Sequence, residues 1–222
     1  IDQLARLIES TYDFRSGLLP LGRFVVGEEG RERLLDGREA VERVDGPHGA
    51  SLLLRERHGE RGWAAALYLP RSLIERLEES DPRRCLDDGN VGSFVTLVEE
   101  VDHLLTFTDR VCRRGAEVSL LELEWHAGVT KYVTLLHFVG RLVGRTRLSE
   151  EERRFVETRL FQGGQLTAED PEVLERYRTA EKLTWRFARD LRRRAPGDRV
   201  RRLRRFHRAG HHEKLRRFSH PA

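Results

Sequence analysis

Two Glu/His pairs give this 222-residue chain its clearest arrangement of chemically able side chains: Glu99 with His103, and Glu122 with His126. Four residues apart on a helix, a carboxylate and an imidazole share one face and together can hold a metal ion. Glu100 adds a carboxylate three residues before His103. If the two segments fold back on each other, His103 and His126 stand at similar heights. Glu122, His126, His103, Glu99 and Glu100 are then the candidate ligands of a divalent transition metal.

The elements that must position these pairs are written in the apolar spacing. Phe94, Leu97, Val98, Val101, Leu104, Leu105, Thr108 and Val111 recur at three- and four-residue steps, and so do Val118, Leu121, Trp125, Val129, Tyr132, Leu136, Val139 and Val143. This is the helical period, and the turn Arg113-Arg114-Gly115 between the runs predicts a long antiparallel helical hairpin over Val91 to Thr146. Stepping about 100° per residue, Glu99 and His103 fall opposite the apolar arc of the first helix and are expected as a solvated pair. Glu122 falls inside the arc of the second, with His126 at its border. A carboxylate facing a core needs a partner, and the expectation is a structural ion pair rather than a metal site. Glu100-x-x-His103 has the step of ferritin-like di-iron bundles, but the helices after Ser149 offer no second Glu-x-x-His, and the likeness stops there.

A second candidate lies at the end of the chain. The net charge of +4 is the sum of a balance of +10 from Arg192 onward and −6 before it, with arginine supplying nearly all the positive charge. Arg199, Arg201, Arg202, Arg204, Arg205 and Arg208 surround a stripe of Val200, Leu203 and Phe206, and the theme resumes at Arg216 and Arg217. Such a segment can neutralise several phosphates, and Phe206 can stack on a base. The competing expectation is a docked terminal helix whose arginines answer the protein's own acidic residues; binding to an anionic membrane ranks well behind both.

The remaining sequence organises itself around these two features. Leu4, Leu7 and Ile8 open a short helix, Leu21 to Val26 reads as a strand, and Arg31 to Val44 reads as a short helix interrupted at Gly37. Ser51–Arg57 and Trp63–Leu69 form a β-hairpin over 51–69, closed by a loop from His58 to Gly62. Arg71 to Glu79 is a short helix. Ser149-Glu150-Glu151-Glu152 is a capping box, and Asp170-Pro171 starts a last long helix that Pro196-Gly197 breaks. The fold class is therefore α+β, mainly helical: a small α/β part over 1–90, a helical domain over 91–195, and a basic Arg/His-rich tail over 196–222.

Several function classes drop out. There is no Gly-rich phosphate loop followed by Lys-Ser/Thr, no nucleophile elbow and no His-Glu-x-x-His helix. Cys85 and Cys112 have neither zinc spacing nor the density of a disulfide framework, which points to a reduced, cytoplasmic setting. Ile1 to Pro20 carries no secretory pattern, and the apolar run Val129 to Val143 is interrupted by Lys131, His137 and Arg141, so no membrane span is expected. The chain contains no methionine, an initiator included, which leaves the translated start open. The leading expectation is a non-enzymatic cytoplasmic protein without cofactor, whose tail contacts nucleic acid, RNA before DNA. The alternatives are a metal-dependent enzyme built on the central hairpin and a helical adaptor with a protein partner.

Overall fold

The computed structural model describes residues 1–36, 42–45, 49–57, 62–161 and 170–219. The expected interruption at Gly37 and the loop residues His58 to Arg61 lie outside them.

The chain is mainly helical with one small sheet. α1 (Asp2–Tyr12) buries Leu4, Ala5, Ile8 and Tyr12 at helical steps and ends on Asp13, whose φ of 62° is left-handed. The sheet has the order β1-β4-β3-β2. β1 (Val25–Val26) runs parallel to β4 (Trp63–Tyr68), while β3 (Ser51–Glu56) is antiparallel to both β4 and β2 (Glu42–Asp45). Buried Leu52, Leu54 and Leu67 tie it to the core.

Two expectations for this region need correction. Of the strand read over Leu21 to Val26 only the last two residues are strand; Leu21–Phe24 is a 3₁₀ turn, with the Leu21 N–H donated to the Asp2 carboxylate at 2.8 Å. The helix read over Arg31 to Val44 is instead α2 (Glu28–Leu35) followed by β2, because Val44 is buried opposite Leu52 in the β3 ladder. Pairing to a neighbouring strand outweighs the weak helical pattern there.

The rest is helical: α3 (Arg71–Glu79), α4 (Val91–Phe107), α5 (Leu120–Leu142), α6 (Glu150–Phe161), α7 (Pro171–Arg192), α8 (Pro196–Arg208) and α9 (His211–Phe218). The last turn of α4 widens into a π turn at Thr108–Arg113, and Gly115, with φ of 60°, lets the chain reverse into α5. Caps set the helix starts: the Ser119 side chain takes the Glu122 N–H of α5, Ser149 and Glu152 cap each other at α6, and Asp170 takes the Glu172 N–H of α7.

α5 packs against both α4 and α7, and it meets α7 where Gly128 faces Thr184; a Cβ at Gly128 would collide with the threonine hydroxyl. α8 and α9 fold back onto this core. Phe206 sits within 5.1 Å of Trp125 and 4.7 Å of Phe187, ring centre to ring centre, and Leu203, Ala209 and Phe218 are buried with it. The segment read as a basic tail is thus two docked helices, and one cluster of buried side chains runs from Leu4 to Phe218. Among the described residues no helix is long and apolar enough to cross a membrane.

Candidate metal centre

α4 is buried all round. Every residue from Val98 to Arg110 is out of solvent, polar ones included. The solvated reading of Glu99 and His103 is therefore wrong: they are 3 % and 0 % exposed. The wheel correctly separates polar from apolar arcs, but the polar arc of α4 faces a polar face of α5 and not water. Between the two helices the buried ionisable groups sort into three clusters.

The first holds Glu99, Glu100 and His103 from α4 with Glu124 and Lys131 from α5. Lys131 Nζ donates to Glu99 Oε1 at 2.7 Å. His103 Nδ1 lies 3.9 Å from Glu100 Oε2 and His103 Nε2 lies 3.8 Å from Glu124 Oε2, beyond hydrogen-bonding range on both sides. One ligand atom each from Glu99, His103 and Glu124 fall within 4.8 Å of one another. Six buried polar atoms here find no hydrogen-bond partner among the described residues: Glu99 Oε2, both oxygens of Glu100, both nitrogens of His103, and Glu124 Oε1. The electrostatics record the crowding. Burial pushes Glu124 up to about 7, with Glu99 adding to it against the pull of His103. Burial would depress His103, yet Glu100, Glu124 and Glu99 hold it up at about 9.

The second cluster is a chain. Tyr12 Oη donates to Thr130 Oγ1 at 2.8 Å, and Thr130 in turn donates to Asp102 Oδ1 at 2.7 Å. Asp102 Oδ2 meets His126 Nδ1 at 2.8 Å, His126 Nε2 meets His207 Nδ1 at 3.0 Å, and His207 Nε2 meets Asp109 Oδ2 at 3.1 Å. Burial lowers both imidazoles, His207 to about 4, so each is neutral near pH 7 and carries one proton. Two imidazole protons serve three contacts between the carboxylates, so one contact lacks its proton in that state.

The third cluster answers the question that Glu122 posed. Its Oε1 takes Lys214 Nζ at 2.8 Å, with Arg110 at 3.5 Å, and all three side chains are buried. Arg110 also donates to the carbonyls of Arg208 and Ala209 at 3.2 and 3.1 Å, closing the end of α8. Burial lowers Lys214 to about 8, against the pull of Glu122.

The five sequence candidates therefore do not converge. Glu99, Glu100 and His103 stay together, whereas Glu122 is held by Lys214 and His126 by Asp102 and His207. Glu124 and Lys131, which the sequence reading passed over, complete the first cluster. One signal for them was available in composition: the chain has only three lysines, and two of them, Lys131 and Lys214, are the partners of buried glutamates.

The basic segment is also redistributed. Arg199 donates to the carbonyls of Leu191 and Arg194 at the end of α7, at 2.9 and 2.8 Å. Arg202 binds Asp190 at 3.0 Å and covers Phe218, and Arg204 and Arg208 reach Asp13 at 3.5 and 3.0 Å. Arg201 pairs with Asp198, Arg217 with Glu213, and Phe206 is core. Arg205 and Arg216 face solvent.

Comparison with known protein families, with curated proteins and with solved structures finds no match.

Proposed function

We infer that this is a metal-dependent enzyme whose centre is made by Glu99, His103 and Glu124, with Glu100 behind His103. The observation that carries the reading is the set of six partnerless polar atoms on four buried side chains. A buried polar group left without a partner costs about 1 to 3 kcal/mol, so a cluster of them calls for a ligand. Water would satisfy hydrogen bonds without neutralising charge. In the ion-free protein His103, held up at about 9, carries a proton against the carboxylates. A metal on its Nε2 displaces that proton, and ionised Glu99, Glu100 and Glu124 against Lys131 then leave a charge of minus two, which a divalent cation cancels.

The donors divide naturally. His103 Nε2 points toward Glu124 and its Nδ1 toward Glu100. This suits a metal on Nε2 while Glu100 accepts the Nδ1 proton and fixes the ring, the usual outer partnership of a ligating histidine. Glu100 is then an orienting group and not a ligand. Two carboxylates and one imidazole favour a borderline or harder first-row ion such as manganese, iron or zinc. Three protein ligands leave coordination positions for water or substrate, as in catalytic centres and unlike closed structural ones.

The test is metal content after chelator treatment and reloading with manganese, anaerobic ferrous iron or zinc. The expected result is one equivalent per chain with a raised melting temperature. His103→Ala and Glu124→Gln should lose the ion and Glu122→Gln should keep it. A protein that retains none of the three ions, with an unchanged melting temperature, would remove the reading.

The nucleic-acid reading stands second. Its support is that Arg205 and Arg216 are exposed on α8 and α9, with Arg201 and Arg217 beside them in surface pairs. It ranks lower because Arg199, Arg202, Arg204 and Arg208 are engaged by the protein itself. Salt-dependent RNA binding weakened by Arg205→Glu and Arg216→Glu would favour it; binding indifferent to both changes would end it.

A further inference from the structure

The outer face of α7 carries one sign of charge. After Glu175 every exposed side chain of this helix is a cation: Arg178, Lys182, Arg186, Arg189 and Arg192, with Arg193 at the cap. Arg192 turns aside to Glu150 and Glu157, at 2.7 and 3.6 Å. At about 100° and 1.5 Å per residue, the other five fall within about 80° of arc and span about 22 Å. Glu175 is the one carboxylate on that arc, at its start, and takes the Thr179 hydroxyl at 3.3 Å. None of the five cations has an ion pair among the described residues; Arg186 donates to the Ser219 carbonyl at 3.5 Å.

The chain treats arginine differently on its other helices. Four residues apart, Arg33 meets Glu29 on α2, Arg71 meets Glu75 on α3 and Arg217 meets Glu213 on α9. On α7 the same step joins Arg178 to Lys182, Lys182 to Arg186 and Arg189 to Arg193, like charges that repel and weaken the helix. The helix dipole favours cations in the last turn, which accounts for Arg189 and Arg193. Arg178, Lys182 and Arg186 have no such reason inside the fold.

We propose that this face of α7 docks on the phosphate backbone of a nucleic acid duplex, without regard to base sequence. Four of the five cations are guanidiniums, whose planar fork bonds two phosphate oxygens at once. They stand at steps of about 4.5 to 6 Å along a packed helix, so they suit a polyanion whose charges repeat along a line better than one small anion. No aromatic side chain lies on the arc. Trp185, at its flank, is half-buried and packs on Phe161 with ring centres 4.9 Å apart, so the face offers no platform for unpaired bases, and a duplex needs none. The apolar residues of α7, Leu183, Phe187 and Leu191 among them, are committed to the core, which leaves nothing to enter a lipid surface. Contacts to phosphate alone serve DNA and RNA duplexes alike.

The proposal rests neither on the metal centre nor on the arginines of α8, and its test keeps them apart. The full chain is titrated into labelled DNA and RNA duplexes of about 20 base pairs, several times longer than the stripe, and followed by fluorescence anisotropy. Two unrelated sequences of each should bind equally. Five phosphate contacts predict a slope near −4.5 for log affinity against log salt, a loss of about 500-fold between about 50 and 200 mM. The triple variant Arg178→Gln/Lys182→Gln/Arg189→Gln should reduce that slope by about 2 to 3 and weaken binding at low salt at least tenfold, with an unchanged melting temperature. His103→Ala and Arg205→Gln should stay within about twofold of wild type. No duplex binding at low salt, or affinity and slope unaffected by the triple variant, would overturn the surface. So would binding to single strands, polyglutamate or phosphatidylserine/phosphatidylcholine vesicles as tight as to the duplex, since each would show a partner other than a duplex backbone.

Discussion

Glu122 and Glu124 stand two residues apart on α5, both buried, and meet opposite surroundings. Two residues on a helix differ by more than half a turn, so the carboxylates leave on different sides. On one side the fold delivers two cations from distant parts of the chain, Lys214 from α9 and Arg110 from the π turn. On the other, Glu124 finds Glu99 and Glu100 already present, with Lys131 committed to Glu99 and His103 nearly 4 Å away. The chain solves the cost of a buried charge by its own counter-charges in the first case and leaves it unsolved in the second. A buried carboxylate is thus informative through its partners, and a shortage of partners points outside the protein.

The sharpest way to break this comparison is to remove the partner of Glu122. Lys214→Ala strands a buried carboxylate and should cost about 3 to 5 kcal/mol by denaturant unfolding. Loss of less than about 1 kcal/mol would mean that Arg110 alone carries Glu122 and that the two sides of α5 are less different than their geometry says. The double variant Lys214→Met/Glu122→Met, which removes both charges, should recover much of the loss.

Acid gives the next largest effect, through His207, which lies against Asp109, His126 and Lys214. Its folded pKa is about 4, below the ordinary value of 6.5. Above pH 6.5 both states are neutral and the stability is fully present; as pH falls toward 4 the unfolded chain takes a proton that the folded one refuses. Stability should therefore drop through that window by on the order of 3 kcal/mol per chain. Melting curves of the wild type against His207→Gln between pH 7 and pH 4 check this, and equal slopes for the two proteins would contradict it.

A smaller effect is expected at Gly128. It lies one turn beyond Glu124 on the same face and lets α7 close over that side of α5. Gly128→Ala gains helix propensity of about 1 kcal/mol but forces Thr184 away, and overpacking of about 1 to 3 kcal/mol should win. If stability rises instead, α7 yields easily and the Glu124 side is looser than the Glu122 side.

Much of the helical architecture was legible because its signals are local. The periodicity of α4 and α5, the Ser149 box and the Asp170-Pro171 start are statements about neighbours a few residues apart. Trp125 was rightly placed in the core, but Leu136 is only partly buried, and Leu135 beside it is fully buried, because α7 widens the covered face of α5. The site was harder for the same reason. A wheel sorts residues by side and is silent on what stands opposite, so the polar arc of α4 read as a solvent face. Lys214 and His207 complete clusters from about a hundred residues away, and nothing within the C-terminal repeat of arginines announces that one lysine and one histidine turn inward. The strand at Glu42–Asp45 was missed likewise, since an edge strand is defined by its partner.

The smallest expected change in stability is the one that separates the two sides of α5 most cleanly. Glu124→Gln removes a charge that burial and Glu99 already disfavour, so in chelator-treated protein it should shift stability by less than about 1 kcal/mol, in either direction. Glu122→Gln, of identical chemistry, leaves Lys214 and Arg110 facing each other and should cost several times as much. The gain from a supplied divalent ion ranks the two variants the other way. Wild-type protein and Glu122→Gln should both gain melting temperature with added ion, because binding to the folded state alone stabilises by mass action. Glu124→Gln should gain nothing, since an amide oxygen is a poor substitute for a carboxylate ligand. Two substitutions two residues apart, ranked one way by stability without the ion and the other way by what the ion adds, is a result that general differences in burial or packing do not produce. If both variants respond alike in both conditions, the asymmetry of α5 is structural only, and the partnerless atoms around His103 are filled by water.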